Sequence, residues 1–313
     1  MEIRQLEAFV AIAETGSFTA AGERVSLTQS TISQQIKALE EELSEALFVR
    51  GGRGVRLTHA GEELLPRARL VLDALDDIAT VFRTPGRKPR GRLRAGAASM
   101  ATAYLFAPLY ERFIASHPHI QLLIRTTTTT EETLKQVLSG EIDVGFIAVS
   151  VSNQALEVES VATDEVVLVV GRSHAWSHRS SVNPADLEGQ PMIAFERGLS
   201  HRRTMDELFT SIGVTPRIVS ETNDPQMVKS LIEIGLGIAL IPRWAVADEL
   251  ALGHLHELRL AGHSLVRDVN MIYLKRHTSA VRTFVEFCRA YKSSITTGMK
   301  HAASAKTQKA PRK

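Results

Sequence analysis

The chain has 313 residues, enough for two or three domains of ordinary size, and its 44% hydrophobic content supports packed cores rather than disorder. Its 37 basic and 35 acidic side chains leave a net charge of +2, so no overall field draws it to nucleic acid and any such affinity must come from local patches. The one cysteine excludes an intrachain disulfide, no apolar run approaches the ~20 residues of a membrane span, and no signal-peptide layout opens the chain, so a cytoplasmic protein with no membrane partner is expected.

Residues 17 to 58 have the pattern of a winged helix-turn-helix. Ser17 can cap a helix carrying Phe18, Ala21 and Val25 on one side, and Val25, Ser26 and Leu27 make a tight connection. Thr28 then caps a second helix with an inner stripe of Ile32, Ile36, Leu39 and Leu43. Its other face carries Gln29, Ser30, Ser33, Gln34 and Lys37, short or flexible polar groups that can reach base edges in a major groove. A ribbon follows, Leu47 to Arg50 and Val55 to Thr58, turning through Gly51, Gly52, Arg53 and Gly54. The arginines at its tip, Arg50 and Arg53, suit phosphates or a minor groove. A helical hairpin inside an enzyme is the alternative; the Gly/Arg ribbon argues against it.

The segment RQLEAFVAIAETGSFTAAGERVSLTQSTISQQIKALEEELSEALFVRGGRGVRLTHAGEELLPRAR resembles, without a gap, the N-terminal signature of LysR-type transcriptional regulators. The resemblance places the recognition helix at Gln29 to Leu39 and the wing at Arg50 to Leu57. It carries DNA contacts to Gln29, Ser30, Ser33, Gln34, Lys37 and Arg53. Ser44 departs from the pattern, standing where the family usually has glycine. A serine in a left-handed cap costs about 1 kcal/mol, enough to loosen the helix end without abolishing the fold.

Past the wing, Leu65, Ala68, Leu72, Leu75, Ala79 and Phe82 alternate steps of three and four, the seam of a coiled coil. A second copy of the chain is the expected partner, giving a homodimer or homotetramer whose two recognition helices meet two half-sites; packing on its own domain is the alternative. Pro66 removes one hydrogen bond and should kink this helix. Residues 84–91, with two prolines, two glycines and three cations, form a solvated hinge.

From residue 92 strands alternate with helices. Strands are expected at 93–97, 120–124, 142–148, 166–170, 192–194, 218–220, 238–240 and 269–273. Helices are expected through Tyr104 to Phe113 and near 131–138, 202–212, 224–234 and 279–291. Cys288 falls in the last of these, among Val281, Phe284, Val285 and Phe287, as a buried inert thiol. The alternation implies a parallel sheet with right-handed crossovers. It matches the family's two-lobed effector domain, similar to periplasmic solute-binding proteins. The expected fold class is therefore α + α/β, with a winged helix-turn-helix, a long linker helix and a two-lobed effector domain. The units are 1–58, 59–83, the hinge 84–91, and 92–292, with lobe I at 92–162 and 268–292 and lobe II at 163–267.

In such lobes, ligands sit outside the carboxyl ends of strands at helix N-termini. Ser99, the run Thr126 to Thr130, and Gly198 to Arg202 occupy those positions. Hydroxyls and positive helix ends there favour an anion, commonly a carboxylate. The resemblance selects Ser99, Thr128, Ile147, Ser200 and Thr222 as effector contacts, while the five threonines leave open which hydroxyl points inward.

Catalytic patterns fail. Gly198-Leu199-Ser200-His201-Arg202 lacks the closing glycine of a nucleophile elbow, and neither Gly235-Leu236-Gly237 nor Gly52-Arg53-Gly54 completes a dinucleotide fingerprint. His174 and His178 stand four apart, but Gly171, Arg172 and Ser173 indicate a loop and nothing completes a ligand set. No metal and no cofactor is expected. The tail 293–313, basic and without acids, is expected to be disordered. The whole implies a transcriptional regulator, not an enzyme, with promoter DNA, a small anionic effector and RNA polymerase as partners. An α/β enzyme or solute-binding protein with structural N-terminal helices is the alternative.

Overall fold

Phe9, Ile12, Ile32, Ile36, Leu39 and Leu47 form the centre of a small N-terminal core. They are brought together by α1 (Ile3–Thr15), α2 (Phe18–Arg24) and α3 (Gln29–Leu43). The computed structural model describes the backbone of residues 1–51, 54–82 and 90–301. Ser17 caps α2 and Thr28 caps α3, each accepting a backbone N–H three residues on. Gly22 permits the α2–α3 turn, since a Cβ there would lie 2.7 Å from the Leu27 carbonyl oxygen. Leu43 is 38% exposed, so the inner stripe of α3 ends at Leu39. Ser44 terminates the helix at φ 55°, the left-handed cap a glycine would adopt without strain.

The ribbon is β1 (Phe48–Gly51) paired antiparallel with β2 (Gly54–Leu57). Glu40 of α3 accepts from the backbone N–H groups of Leu47 and Phe48, at 2.7 and 3.3 Å, and so ties the recognition helix to the base of the wing. The linker helix α4 (His59–Phe82) continues through Pro66. Its expected seam is divided. Leu65 and Ala68 are buried in the core of their own head, and Leu72 packs beside them. A small three-helix head cannot close its core without them. The large apolar side chains described as exposed on α4 are Val71, at 43%, and Ile78, at 57%, while those of Ala79 and Phe82 lie outside the described ones.

The C-terminal part contains β3 (Gly91–Ala98), α5 (Ala107–Ser116), β4 (Ile120–Thr127), α6 (Thr130–Leu138) and β5 (Val144–Ile147). A wide π turn, Ala101–Phe106, leads into α5. There follow β6 (Leu156–Gly171), β7 (Ser181–Val182), β8 (Pro191–Phe195), α7 (Ser200–Ile212), β9 (Arg217–Thr222), α8 (Pro225–Glu233) and β10 (Ala239–Pro242). The chain closes with α9 (Ala247–Leu252), β11 (Leu255–Leu260), β12 (Leu265–Leu274) and α10 (Ser279–His301). The last helix thus runs past 291 into the segment expected to be a disordered tail; residues 302–313 lie outside the described ones, as do residues 83–89 of the expected hinge.

The sheet is mixed, not parallel throughout. Strands β4, β3 and β5 are parallel, whereas β12 runs antiparallel to β5 and β6, and β10 and β11 run antiparallel to β6. The reason is topological. Long β6 leaves the first lobe and β12 returns to it, so two neighbouring strands cross in opposite directions. Their register shifts between Val269 and Asn270. Beyond the crossing, β8 and β9 pair in parallel and touch β10 through a Met192–Ile238 bridge.

Candidate functional site

The exposed side of α3 carries Gln29, Ser30, Gln34 and Lys37, with half-buried Ser33 between them. Ser30, Gln34 and Lys37 lie on the face opposite Ile32, Ile36 and Leu39, Ser33 flanks it, and Gln29 stands exposed at the first turn, three residues before Ile32. Ser30 shares a 2.9 Å hydroxyl contact with the capping Thr28, and Lys37 lies 3.6 Å from Glu41. Arg50 has its backbone in β1, opposite Val55. Arg53 lies outside the described residues.

Between the lobes lies a cavity of about 200 Å³. Four strand ends form its wall: Ala98, Ser99 and Met100 after β3; Thr127 and Thr128 at the end of β4; Phe195, Leu199 and His201 after β8; Asn223 and Pro225 after β9. The threonine run is thereby sorted. Thr127 turns inward to Thr133 at 2.6 Å, and Thr129 caps α6 by accepting from the Glu132 N–H. Thr128 faces the cavity, while its N–H donates to the Glu132 carboxylate at 2.7 Å. Thr130 lies beneath, on the wall of a smaller adjoining cavity of about 30 Å³.

Ile147 is 3% exposed and lines that inner cavity rather than the outer one. Thr222 ends β9, and its hydroxyl accepts from the Asp224 N–H at 3.1 Å, shaping the turn that presents Asn223 and Pro225. Ser200 opens α7; its side chain lies outside what the structure describes.

The chemistry missed by sequence reading is the floor. His201 lines both cavities, its ring centroid 5.4 Å from Phe195, and its buried Nε2 has no hydrogen-bond partner. Burial, reinforced by the charge of Arg267, pushes its pKa down to about 3, so the ring is neutral. Arg267 donates from Nε to Asp164 at 2.8 Å and from a terminal nitrogen to Thr204 at 3.2 Å. Trp244 donates to the other Asp164 oxygen at 2.8 Å. Across the cleft, Glu131 of α6 pairs with Arg203 of α7 at 3.4 Å, and Gln226 of α8 hydrogen-bonds the Tyr104 hydroxyl of the π turn. No spacing rule connects positions this far apart in the chain, so only the fold reveals them. His174, one of the histidines weighed as a metal ligand, accepts instead from the Trp176 N–H within its own turn.

Two family models match this sequence. The bacterial regulatory helix-turn-helix protein model of the lysR family covers residues 3–62, and the LysR substrate binding domain covers residues 86–293, about two thirds of the chain. The chain belongs to the LysR family. Among relatives of this LysR-type regulator is the uncharacterized HTH-type transcriptional regulator YwqM of Bacillus subtilis, 30% identical over 259 residues, spanning 82% of this chain and 88% of the relative. A full-length OxyR variant from Pseudomonas aeruginosa has the same fold, with a TM-score of 0.76, 21% identity and 99% coverage of both chains. Full-length CbnR complexed with its target DNA aligns with a TM-score of 0.56 and 26% identity, covering 93% of this chain and 100% of that one. This regulator is a DNA-binding protein with an effector-binding domain, and its family is one of transcriptional regulators, not of enzymes. Among the described residues, no helix is long and apolar enough to cross a membrane.

Proposed function

We propose that this LysR-type regulator reads promoter DNA in a sequence-specific manner through Gln29, Ser30, Ser33 and Gln34, with Lys37 of the recognition helix and Arg50 and Arg53 of the wing on the backbone. It acts in the cytoplasm as a homodimer or homotetramer, and RNA polymerase at the bound promoter is the further partner this reading implies. The subunits join along α4, where Val71 and Ile78 leave apolar surface outward. Sedimentation of Val71→Asp/Ile78→Asp should show smaller species; an unchanged oligomer would move the interface elsewhere.

A small anionic effector seated between the lobes modulates DNA binding. Ser99, Thr128 and Ser200 are its polar contacts, Ile147 belongs to the inner wall, and Thr222 sets the turn at the mouth. The carrying observation is convergence: the strand ends at Ser99, Thr128 and His201 share one cavity with no acidic side chain on its wall. A carboxylate of the chain itself, Glu132, already sits against the N-terminus of α6, the kind of group such a helix end favours.

A thermal-shift screen of small carboxylates and inorganic anions on the full chain tests this. Binding to the folded state alone adds about 2.7 kcal/mol at a hundredfold excess over Kd. Ser99→Ala and Thr128→Val should each abolish the shift with little change in the unliganded melting temperature. A shift that survives both relocates the site.

A further inference from the structure

Helix α6 runs from the cleft to the DNA-binding half of the molecule. Its N-terminal turn forms part of the cleft: Thr128 stands on the cavity wall, Glu132 holds the Thr128 N–H, and Glu131 reaches Arg203 on the opposite lobe. Its C-terminal end meets the DNA-binding half of the molecule. There the Ser139 carbonyl accepts from Arg69 of the linker helix at 2.8 Å. The same guanidinium donates to Glu14 of α1 at 3.0 Å and lies 3.7 Å from Glu141. The Arg69 side chain is only 6% exposed and its Nε has no acceptor, so these three contacts are all that the described structure offers a buried charge.

Close packing makes α6 behave as one piece. Thr133 and Val137 are buried against β5, where a Cβ on Gly145 would come within 2.8 Å of Val137 and 2.9 Å of Thr133. Nine residues of helix span roughly 13 Å. A displacement of the first turn is therefore passed to Ser139 rather than absorbed along the way. At that end, Gly140 adopts φ +68° and lies against Arg69 and Pro66, so the turn after α6 touches the linker helix directly. A second bridge fixes the same seat: Arg94 of β3 binds Asp143 at 2.8 Å and Asp73 of α4.

We propose that α6 is the coupling element by which occupancy of the cleft alters the seat of the DNA-binding head in the same subunit, with Arg69 as the residue that hands the movement on. The inference rests on the cleft being the effector site. An incoming anion competes with Glu132 for the start of α6 and with Glu131 for Arg203. As the first turn resettles, the Ser139 carbonyl moves relative to Arg69, and the guanidinium redistributes its contacts between lobe and head. Glu14 lies on α1, whose Phe9 and Ile12 pack on Ile32 and Ile36 of the recognition helix, so a shift of α1 tilts the reading face. The helix C-terminus, which carries partial negative charge, is a natural acceptor for a buried guanidinium.

Hydrogen exchange on the full-length, ligand-free protein tests the link. Glu132→Gln loosens the cleft end of α6. In the parent background it should change amide exchange at residues 11–15 of α1 by about fivefold, the low end of measured site-to-site couplings. In a Glu14→Gln background, which keeps Arg69 in place but weakens its hold on the head, the same substitution should leave those amides unchanged. Reciprocally, Glu14→Gln should alter exchange at residues 129–133. Effects confined to each mutated end, or identical in both backgrounds, would overturn the coupling. Arg69→Met is the stronger variant; should it unfold the head, the Glu14→Gln cycle still decides. No ligand is added, so a negative result removes the link and leaves the cleft reading to its own thermal-shift test.

Discussion

Asp164 and Arg267 stand 103 residues apart and meet where β6 and β12 pass each other between the lobes, directly opposite in register. Asp164 is 1% exposed, accepts two guanidinium N–H groups and the Trp244 indole N–H, and so leaves neither oxygen unpaired. Removing one member strands a buried charge on the other.

Asp164→Asn or Arg267→Met should each lower stability by about 3 kcal/mol, in the range for breaking a buried pair from one side. The double variant Asp164→Asn/Arg267→Met should lose less than the sum of the two. Urea melts of the four proteins measure this, and additive losses would mean that the two residues act separately.

His201 gives acid sensitivity of a defined sign. Its folded pKa of about 3 lies below the ordinary 6.5, so the unfolded chain binds a proton that the buried ring refuses. The stabilising difference is complete above pH 6.5 and is lost progressively as pH falls toward 3. At pH 5 the loss is about 1–2 kcal/mol. Melting curves of His201→Phe against the parent between pH 7 and 4.5 should show a flatter profile for the variant. Parallel profiles would mean that the ring is not held neutral by its surroundings.

The left-handed Ser44 is a place where stability can be raised. Glycine accepts φ 55° without the Cβ clash, so Ser44→Gly should stabilise the head by about 0.5–1 kcal/mol. A fall in the melting temperature would show that the serine side chain makes a contact worth more than the strain.

On DNA, Gln29 and Lys37 should separate by kind of loss. Gln29→Ala should weaken specific binding by about 1–3 kcal/mol and relax preference at one base position. Lys37→Ala should weaken all sequences alike and flatten the salt dependence. Fluorescence anisotropy on genomic fragments selected by binding to the protein and on unrelated duplexes, at several salt concentrations, distinguishes them. Equal loss of discrimination from both would contradict this assignment.

Local order in this chain was legible where the physical cause is itself local. Caps at Ser17 and Thr28, the 3.6-residue stripe Ile32–Ile36–Leu39 and the glycine-flanked ribbon each depend on neighbours a few residues away, and each formed as expected. Most strands and helices after residue 92 were likewise found by their periodicity. The strand β11, Leu-His-Glu-Leu-Arg-Leu, and the charged first half of β6 escaped because charged residues interrupt their apolar pattern, although Leu255, Leu258, Leu260 and Leu156 are buried in the folded core. Similarly, the seam residues Leu65 and Ala68 have the spacing of an intersubunit stripe, yet the head took them to complete its own core.

The sequence by itself determined the winged head and the alternating strands and helices that follow, since periods, caps and turns are written in nearest neighbours, and its resemblance to the LysR family implied that the second part is a two-lobed sensing domain. Tertiary structure decided that Thr127 and Thr128 border the cleft, Thr127 held by Thr133, that the His201 Nε2 is buried without a partner and its ring neutral near Arg267, and that Asp164, Trp244 and Arg267 lock the crossing strands. It also decided that Arg69 binds head and lobe together. Those facts depend on burial and on distances between groups tens to a hundred residues apart, and neither quantity exists until the chain has folded.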